Sequence, residues 1–299
     1  MIKGFFPVSL EELEHELEKV PLEPSPAAYV FQIGHCGSTL VSRALAFSPL
    51  TLPLREPQVL KTLASSQREL GSTLSWLSHG DWQRLMDASL RMLDRRFRPD
   101  QLPVIKANSE CNNICETVLA SHPERRAVLL YSPLESYLAG MLRYKDKQGD
   151  IRFQSRARLE EWQLVSGSSD LNLSELSVVE LIVIAWMGNM ARFSKAMKRF
   201  PEQVMPSNFE DYLSRPAETT EEMAGFFGLE YREGQIPGHY QKISEQYSKD
   251  PKLPYSARTR EVALDASRSD NAALISRGLR IAEQLVATKH ELSALKTWF

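Results

Sequence analysis

The feature that most constrains the fold is a series of five short runs, residues 27–33, 50–54, 102–107, 126–131 and 203–208, apolar in character and bounded by glycine, proline or polar residues. At five to seven residues each they are too short for core helices and suit strands buried on both faces. Between them the sequence has helical periodicity. Strands that alternate with helices pair in parallel, because each helix carries the chain back along the sheet before the next strand begins. The expected fold is α/β in three layers, a central parallel sheet flanked by helices, with helical insertions.

At 299 residues the chain reads as one domain, 1–299, enlarged by insertions. Leu10, Leu13 and Leu17 recur at helical spacing between Ser9 and Pro21, which predicts an amphipathic helix over 10–19. PLEPSP at 21–26 is a rigid linker. Residues 61–98 carry Trp76, Trp82, Leu85, Met86, Leu90 and Leu93 at helical intervals and read as an inserted helical pair that walls a cleft. The polar stretch 143–174, with KDKQGD and SGSSD, has few core-forming residues and reads either as a lid or as a surface excursion. A last helix is predicted over 271–295.

Composition removes several classes. Hydrophobic residues at 42% and charged residues at 25% exclude disorder and a disulfide scaffold. Thirty-six Lys and Arg against 38 Asp and Glu leave a net charge of −2, so no nucleic-acid partner is expected and any anion must be held by a local arrangement. Cys36, Cys111 and Cys115 are odd in number and lack zinc spacing, so no metal and a reducing compartment are expected. The opening segment turns acidic after a five-residue apolar start, unlike a secretory signal. The most apolar segment, 176–190, is interrupted by Glu180 and falls short of the roughly 20 residues that span a bilayer. A cytoplasmic protein with no membrane partner is expected.

Residues 33–40, IGHCGSTL, stand where the first run passes into a helix with Leu40, Val41, Ala44 and Leu45 on its inward stripe and Pro49 as its stop. At such a junction backbone N–H groups converge, and they favour a phosphate or sulfate. Gly34 and Gly37 permit the dihedrals, while Ser38 and Thr39 add hydroxyl donors. The candidate anion-binding set is Gly34, His35, Cys36, Gly37, Ser38, Thr39 and Leu40. No lysine precedes Ser38 as G-x-x-x-x-G-K-[ST] requires, so nucleoside triphosphate hydrolysis is not expected. The same pattern also fits a plain glycine turn with Ser38 as a helix cap.

Four ordered segments over 27–229 together resemble the P-loop sulfotransferase superfamily. HCGST resembles the family's P-[KR]-S-G-T-T at Gly37, Ser38 and Thr39, with His35 in place of the basic residue and Cys36 in place of serine. IKAN carries Lys106 where the third strand of the family ends in lysine. LLYSPLESYLAGMLR keeps the strand, Pro133 and an acidic Glu135 from a pattern like R-D-P-R-D. The segment 204–231 matches the late signature at Glu210, Asp211, Leu213, Pro216, Phe226, Phe227, Gly228 and Leu229. The resemblance implies a P-loop nucleoside-triphosphatase-like fold. It also implies transfer of a sulfuryl group from a phosphosulfate nucleotide to a hydroxyl or amine of a small-molecule or peptide acceptor.

The resemblance further implies roles for individual residues. Lys106 and His35 would stabilise charge at the leaving phosphate, the donor being phosphoadenosine phosphosulfate or a related adenosine nucleotide. The histidine base of the cytosolic branch is replaced by Asn108, which cannot take a proton. Glu56, beside Arg55 after the second run, resembles the glutamate of the tyrosine-sulfating branch and is the candidate base. Glu56 also fits an ion pair with Arg55. The family's arginine and serine that hold the donor's 3′-phosphate are Tyr131 and Ala139 here. Arg143, with Lys249, Lys252 and Arg258, supplies candidate replacement cations. Three readings stay open: a sulfotransferase, a transferase with another phosphorylated donor, and a non-catalytic anion-binding module. The acceptor and the oligomeric state are not legible.

Overall fold

The computed structural model describes residues 7–143, 148–167, 171–244, 257–287 and 290–299. A parallel five-stranded sheet forms its centre: β1 (Ala28–Gln32), β2 (Thr51–Arg55), β3 (Leu102–Lys106), β4 (Ala127–Tyr131) and β5 (Val204–Asn208). The spatial order is β2-β3-β1-β4-β5, so the first and third strands are neighbours. Each strand falls within one residue of an expected run at either end. Every residue of β1 is buried, as its place at the centre requires. Pro53 and Pro206 sit in β2 and β5, the two edge strands, where a missing N–H leaves no ladder bond broken on the outer side.

The helices are α1 (Leu10–Glu18), α2 (Ser38–Ala44), α3 (Gln58–Glu69), α4 (His79–Leu93), α5 (Cys115–Ala120), α6 (Leu134–Leu142) and α7 (Gln148–Ser166). They continue as α8 (Val178–Arg199), α9 (Phe209–Ser214), α10 (Pro216–Phe227), α11 (Gln235–Ser244), α12 (Ala257–Asp270) and α13 (Ala272–Ala287). From β1 the chain steps outward to β2, whereas every later step runs the opposite way across the sheet. With right-handed crossovers, α2 therefore covers one face and the later connections the other. The α/β expectation holds in the layers as well as in the sheet.

Several elements differ from the sequence reading. Trp76 lies between α3 and α4 and is 95% exposed, because no helix continues through it; Trp82, Met86 and Leu90 are buried on α4 as expected. Part of the polar stretch, 144–147 and 168–170, lies outside the described residues. The rest is not a surface excursion. Ile151, Ser155, Leu159 and Trp162 form a buried stripe on α7, which packs along α8. A serine at one of those four places breaks the apolar pattern in sequence while leaving the helix face intact. The expected helix over 271–295 ends as α13 at Ala287, and His290–Trp298 forms 3-10 turns. Glu180, which interrupts the apolar segment, closes a capping box with Ser177 at the start of α8. Among the described residues no helix is long and apolar enough to cross a membrane.

Candidate functional site

The connection after β1 leaves toward one face and those after β3 and β4 toward the other, which opens a crevice at the C-terminal ends of these strands. A cavity of about 270 Å³ occupies it. One wall consists of Gly34, His35, Gly37, Ser38 and Thr39 with Glu56, Lys106, Asn108 and Ser109. The facing wall is made by Tyr137 and Met141 of α6, Ile151, Gln154, Ser155 and Arg158 of α7, and Leu181, Ile182 and Ala185 of α8.

The loop after β1 turns through three residues with positive φ, Gly34 at 85°, His35 at 53° and Gly37 at 67°. A side chain at Gly37 would be doubly excluded, since a Cβ there would lie 1.8 Å from Cζ of Phe209. The N–H of Gly34 donates to Oε1 of Gln32 at 2.6 Å and that of Leu40 to the Gly37 carbonyl at 2.9 Å. Neither is spare for an anion, which corrects the expected set at both ends. The N–H groups of Gly37 and Thr39 donate to no described residue. Leu40 and Cys36 are buried behind the loop, and the Cys36 thiol lies 3.5 Å from the Leu130 carbonyl. Burial pushes that thiol up to about 11, which favours its neutral form at pH 7. Because α2 has only seven residues, the local N–H groups rather than a long helix dipole set the electrostatics here.

Lys106 and Glu56 meet because β2 and β3 end in register: Arg55 pairs with Lys106, and the N–H of Glu56 donates to the Lys106 carbonyl at 2.7 Å. This contact turns Glu56 into positive φ, 52°, and over the cavity. Lys106, a residue only 3% exposed, donates through its ammonium to Oε1 of Glu56. Nδ2 of Asn108 donates to Oε2 of Glu56 at 3.0 Å, while Oδ1 of Asn108 caps the 3-10 turn Ser109–Ile114 through the Glu110 N–H at 3.0 Å. The ion pair is thus with Lys106, not with Arg55, whose Nε donates to the Ser42 hydroxyl at 3.3 Å.

Arg158 was not singled out by the sequence reading. It enters the wall from α7 and donates to the carbonyl and hydroxyl of Ser109 at 3.4 and 3.3 Å. Its signal was one step from the buried residue Leu159 in a stretch with weak apolar periodicity. Arg143, the expected cation, sits exposed at the end of α6 and is not part of the lining. Arg258 is exposed on α12, and Lys249 and Lys252 lie outside the described residues. The Tyr131 ring packs 5.6 Å from that of Trp298, and Ala139 is buried with its carbonyl accepting from the Ser267 hydroxyl at 2.7 Å. Neither residue lines the cavity.

The late segment props the site from below. Phe209, first residue of α9, lies under Gly37, and the Arg260 guanidinium stacks 4.9 Å above its ring. Glu210 holds Arg260 by two bonds at 2.7 and 2.9 Å. Pro216 opens α10, and Gly228, with φ 74°, ends it. Among the described residues no group of three or more His, Cys, Asp or Glu could hold a metal ion.

No protein-family model matches the chain, and no curated protein matches it. Among solved structures it is similar to a sulfotransferase domain from the curacin biosynthetic pathway, with 17% identity over 87% of this chain and 97% of that one and a TM-score of 0.46. It is similar to the sulfotransferase STF1 of Mycobacterium tuberculosis H37Rv, with 15% identity over 84% of this chain and 78% of that one and a TM-score of 0.46. A third likeness is to the sulfotransferase domain of the Synechococcus PCC 7002 olefin synthase, with 12% identity over 83% and 96% of the two chains and a TM-score of 0.45.

Proposed function

We propose that the chain transfers a sulfuryl group from a phosphosulfate nucleotide to an acceptor hydroxyl. One observation carries this reading: a buried lysine, a carboxylate bonded to it and two loop amides with no described partner converge in one cavity at the sheet's switch point. The N–H groups of Gly37 and Thr39 and the hydroxyls of Ser38 and Thr39 donate to the oxygens of the leaving phosphate. His35 adds an imidazole at the same rim. Lys106, held in place by Glu56, presents its charge where negative charge develops.

Glu56 takes the acceptor's proton. Its carboxylate lines the cavity, where Lys106 and Asn108 hold it by one oxygen each. As the acceptor oxygen bonds to sulfur, the bond from sulfur to the phosphate oxygen breaks and its electron pair stays on the phosphate. Asn108 is a positioning residue that holds the carboxylate.

The test follows transfer of labelled sulfuryl from phosphoadenosine phosphosulfate to a mixture of hydroxyl compounds. Glu56→Gln should lower turnover about 100-fold or more, the usual worth of a general base. Lys106→Met should lower it by a comparable factor. Unchanged turnover in both variants would overturn the reading. The positions of Tyr131 and Ala139, away from the lining, favour a second reading: transfer from a donor whose 3′ group is not gripped at all.

A further inference from the structure

The cavity wall that faces the loop after β1 carries one charged residue among those described, Arg158, beside Tyr137 and the apolar Met141, Ile151, Leu181 and Ile182. A half-buried guanidinium in such surroundings is normally matched by a carboxylate. Two stand nearby, since Arg158 shares the lining of a neighbouring cavity with Glu110 and Glu161. Both are taken. Glu110 pairs with Lys61 at 3.4 Å, and Glu161 pairs with Arg192 and, at 3.9 Å, with Arg68. No carboxylate among the described residues pairs with Arg158, whose bonds go to the carbonyl and hydroxyl of Ser109 at 3.4 and 3.3 Å, both neutral acceptors at long range. Tyr137, only 6% exposed, supplies a second donor. Its hydroxyl bonds to no described residue and is not among the unpartnered atoms sealed inside the fold. Burial pushes this phenol up to about 12, against the pull of the Arg158 charge, so it keeps its proton to donate.

A guanidinium without a carboxylate and a phenol without an acceptor, on one wall, suit a carboxylate, which accepts on two oxygens. With a single cation on this wall, a dianion would be only half balanced. The apolar side chains around the two donors would stay against water beside a small polar acid, whereas an apolar body covers them. We infer that this cavity binds a carboxylic acid with an apolar body, the carboxylate accepting from Arg158 and Tyr137. In the function proposed above this molecule is the acceptor and also carries the hydroxyl presented to Glu56; that role rests on the reading, and the binding does not. Arg158 and Tyr137 are then the residues that set acceptor specificity, while the donor is held on the opposite wall by the loop after β1 and Lys106.

Calorimetric titration with 8-hydroxyoctanoate and 4-hydroxyphenylacetate tests the assignment. The contrasts are 1,8-octanediol and 4-hydroxyphenethyl alcohol, which lack the carboxylate, and glycolate, which lacks the apolar body. At least one of the two acids should bind about tenfold or more tightly than its alcohol counterpart and than glycolate. Arg158→Met should erase that preference and Arg158→Lys restore part of it, with adenosine 3′,5′-bisphosphate binding unchanged in both. Tyr137→Phe, which removes one oxygen and keeps the ring in place, should weaken acid binding about fivefold and serves as the test where Arg158→Met does not fold. Absence of acid binding to the wild type, acid and alcohol bound alike, or a preference that survives Arg158→Met would overturn the inference. So would a loss in Arg158→Met confined to the bisphosphate, which would assign the guanidinium to the donor. Acid binding that depends on Arg158 while no nucleotide binds would overturn the proposed function and support the cavity assignment.

Discussion

Gly37 shows how tightly single residues define the site. Its φ of 67° and the Phe209 ring 1.8 Å from a hypothetical Cβ leave no conformation that alanine can share. Gly37→Ala should cost more than about 2 kcal/mol in urea unfolding and should weaken nucleotide binding, because both strain and overlap fall on the loop that carries the amides. Full stability in that variant would show the loop to be looser than described. The cysteines give a pH dependence. Burial raises the Cys36 and Cys111 thiols from 9.0 to about 11, so between those values the folded state keeps protons that the unfolded state has released. Stability should therefore be insensitive to these thiols below about pH 9 and fall as pH rises toward 11, and folded protein should resist a thiol reagent at pH 8. Rapid labelling of Cys36 at that pH would contradict its placement. At this scale Lys106, in the third run, and Glu56, just after the second, were singled out by the resemblance, and the ends of β3 and β2 bring both to the cavity. The spent amides of Gly34 and Leu40 were not, because which acceptor an N–H finds depends on Gln32 and on the turn itself.

Strands were easy to read and walls were hard. Five apolar runs with breakers mark their own ends, whereas α7 buries Ser155 and Glu161 beside Ile151, Leu159 and Trp162, and so looks polar along the sequence. Arg158 was hidden by the same composition. Trp76 erred in the other direction, since a tryptophan at helical spacing from its neighbours suggests burial even where the chain turns instead. The start of α8 offers a test of how an element supports the cavity. Ser177 caps it and exchanges bonds with Glu180, and Leu181, Ile182 and Ala185 follow directly into the wall. Ser177→Ala should lower stability by about 1 kcal/mol in denaturant unfolding, the usual worth of a helix cap, with the fold retained. No loss would mean that tertiary packing alone fixes that helix end.

The molecule as a whole carries a net charge of −2, so it has no general attraction for anions. What it offers is local: the amides of Gly37 and Thr39, the buried Lys106 and, across the cavity, Arg158. The sheet order brings these together, since β1 lies between β3 and β4 and its loop leaves toward one face while theirs leave toward the other. Sequence pattern was enough for the order of elements, but the position of the facing helices depends on packing between segments far apart in the chain. Calorimetric titration with adenosine 3′,5′-bisphosphate, with adenosine 5′-phosphate beside it, tests the central claim most directly. The bisphosphate should bind and Lys106→Met should weaken it about tenfold or more. With Tyr131 and Ala139 outside the lining, the two nucleotides should differ by less than about tenfold. Failure of both nucleotides to bind, or binding indifferent to Lys106→Met, would contradict the account.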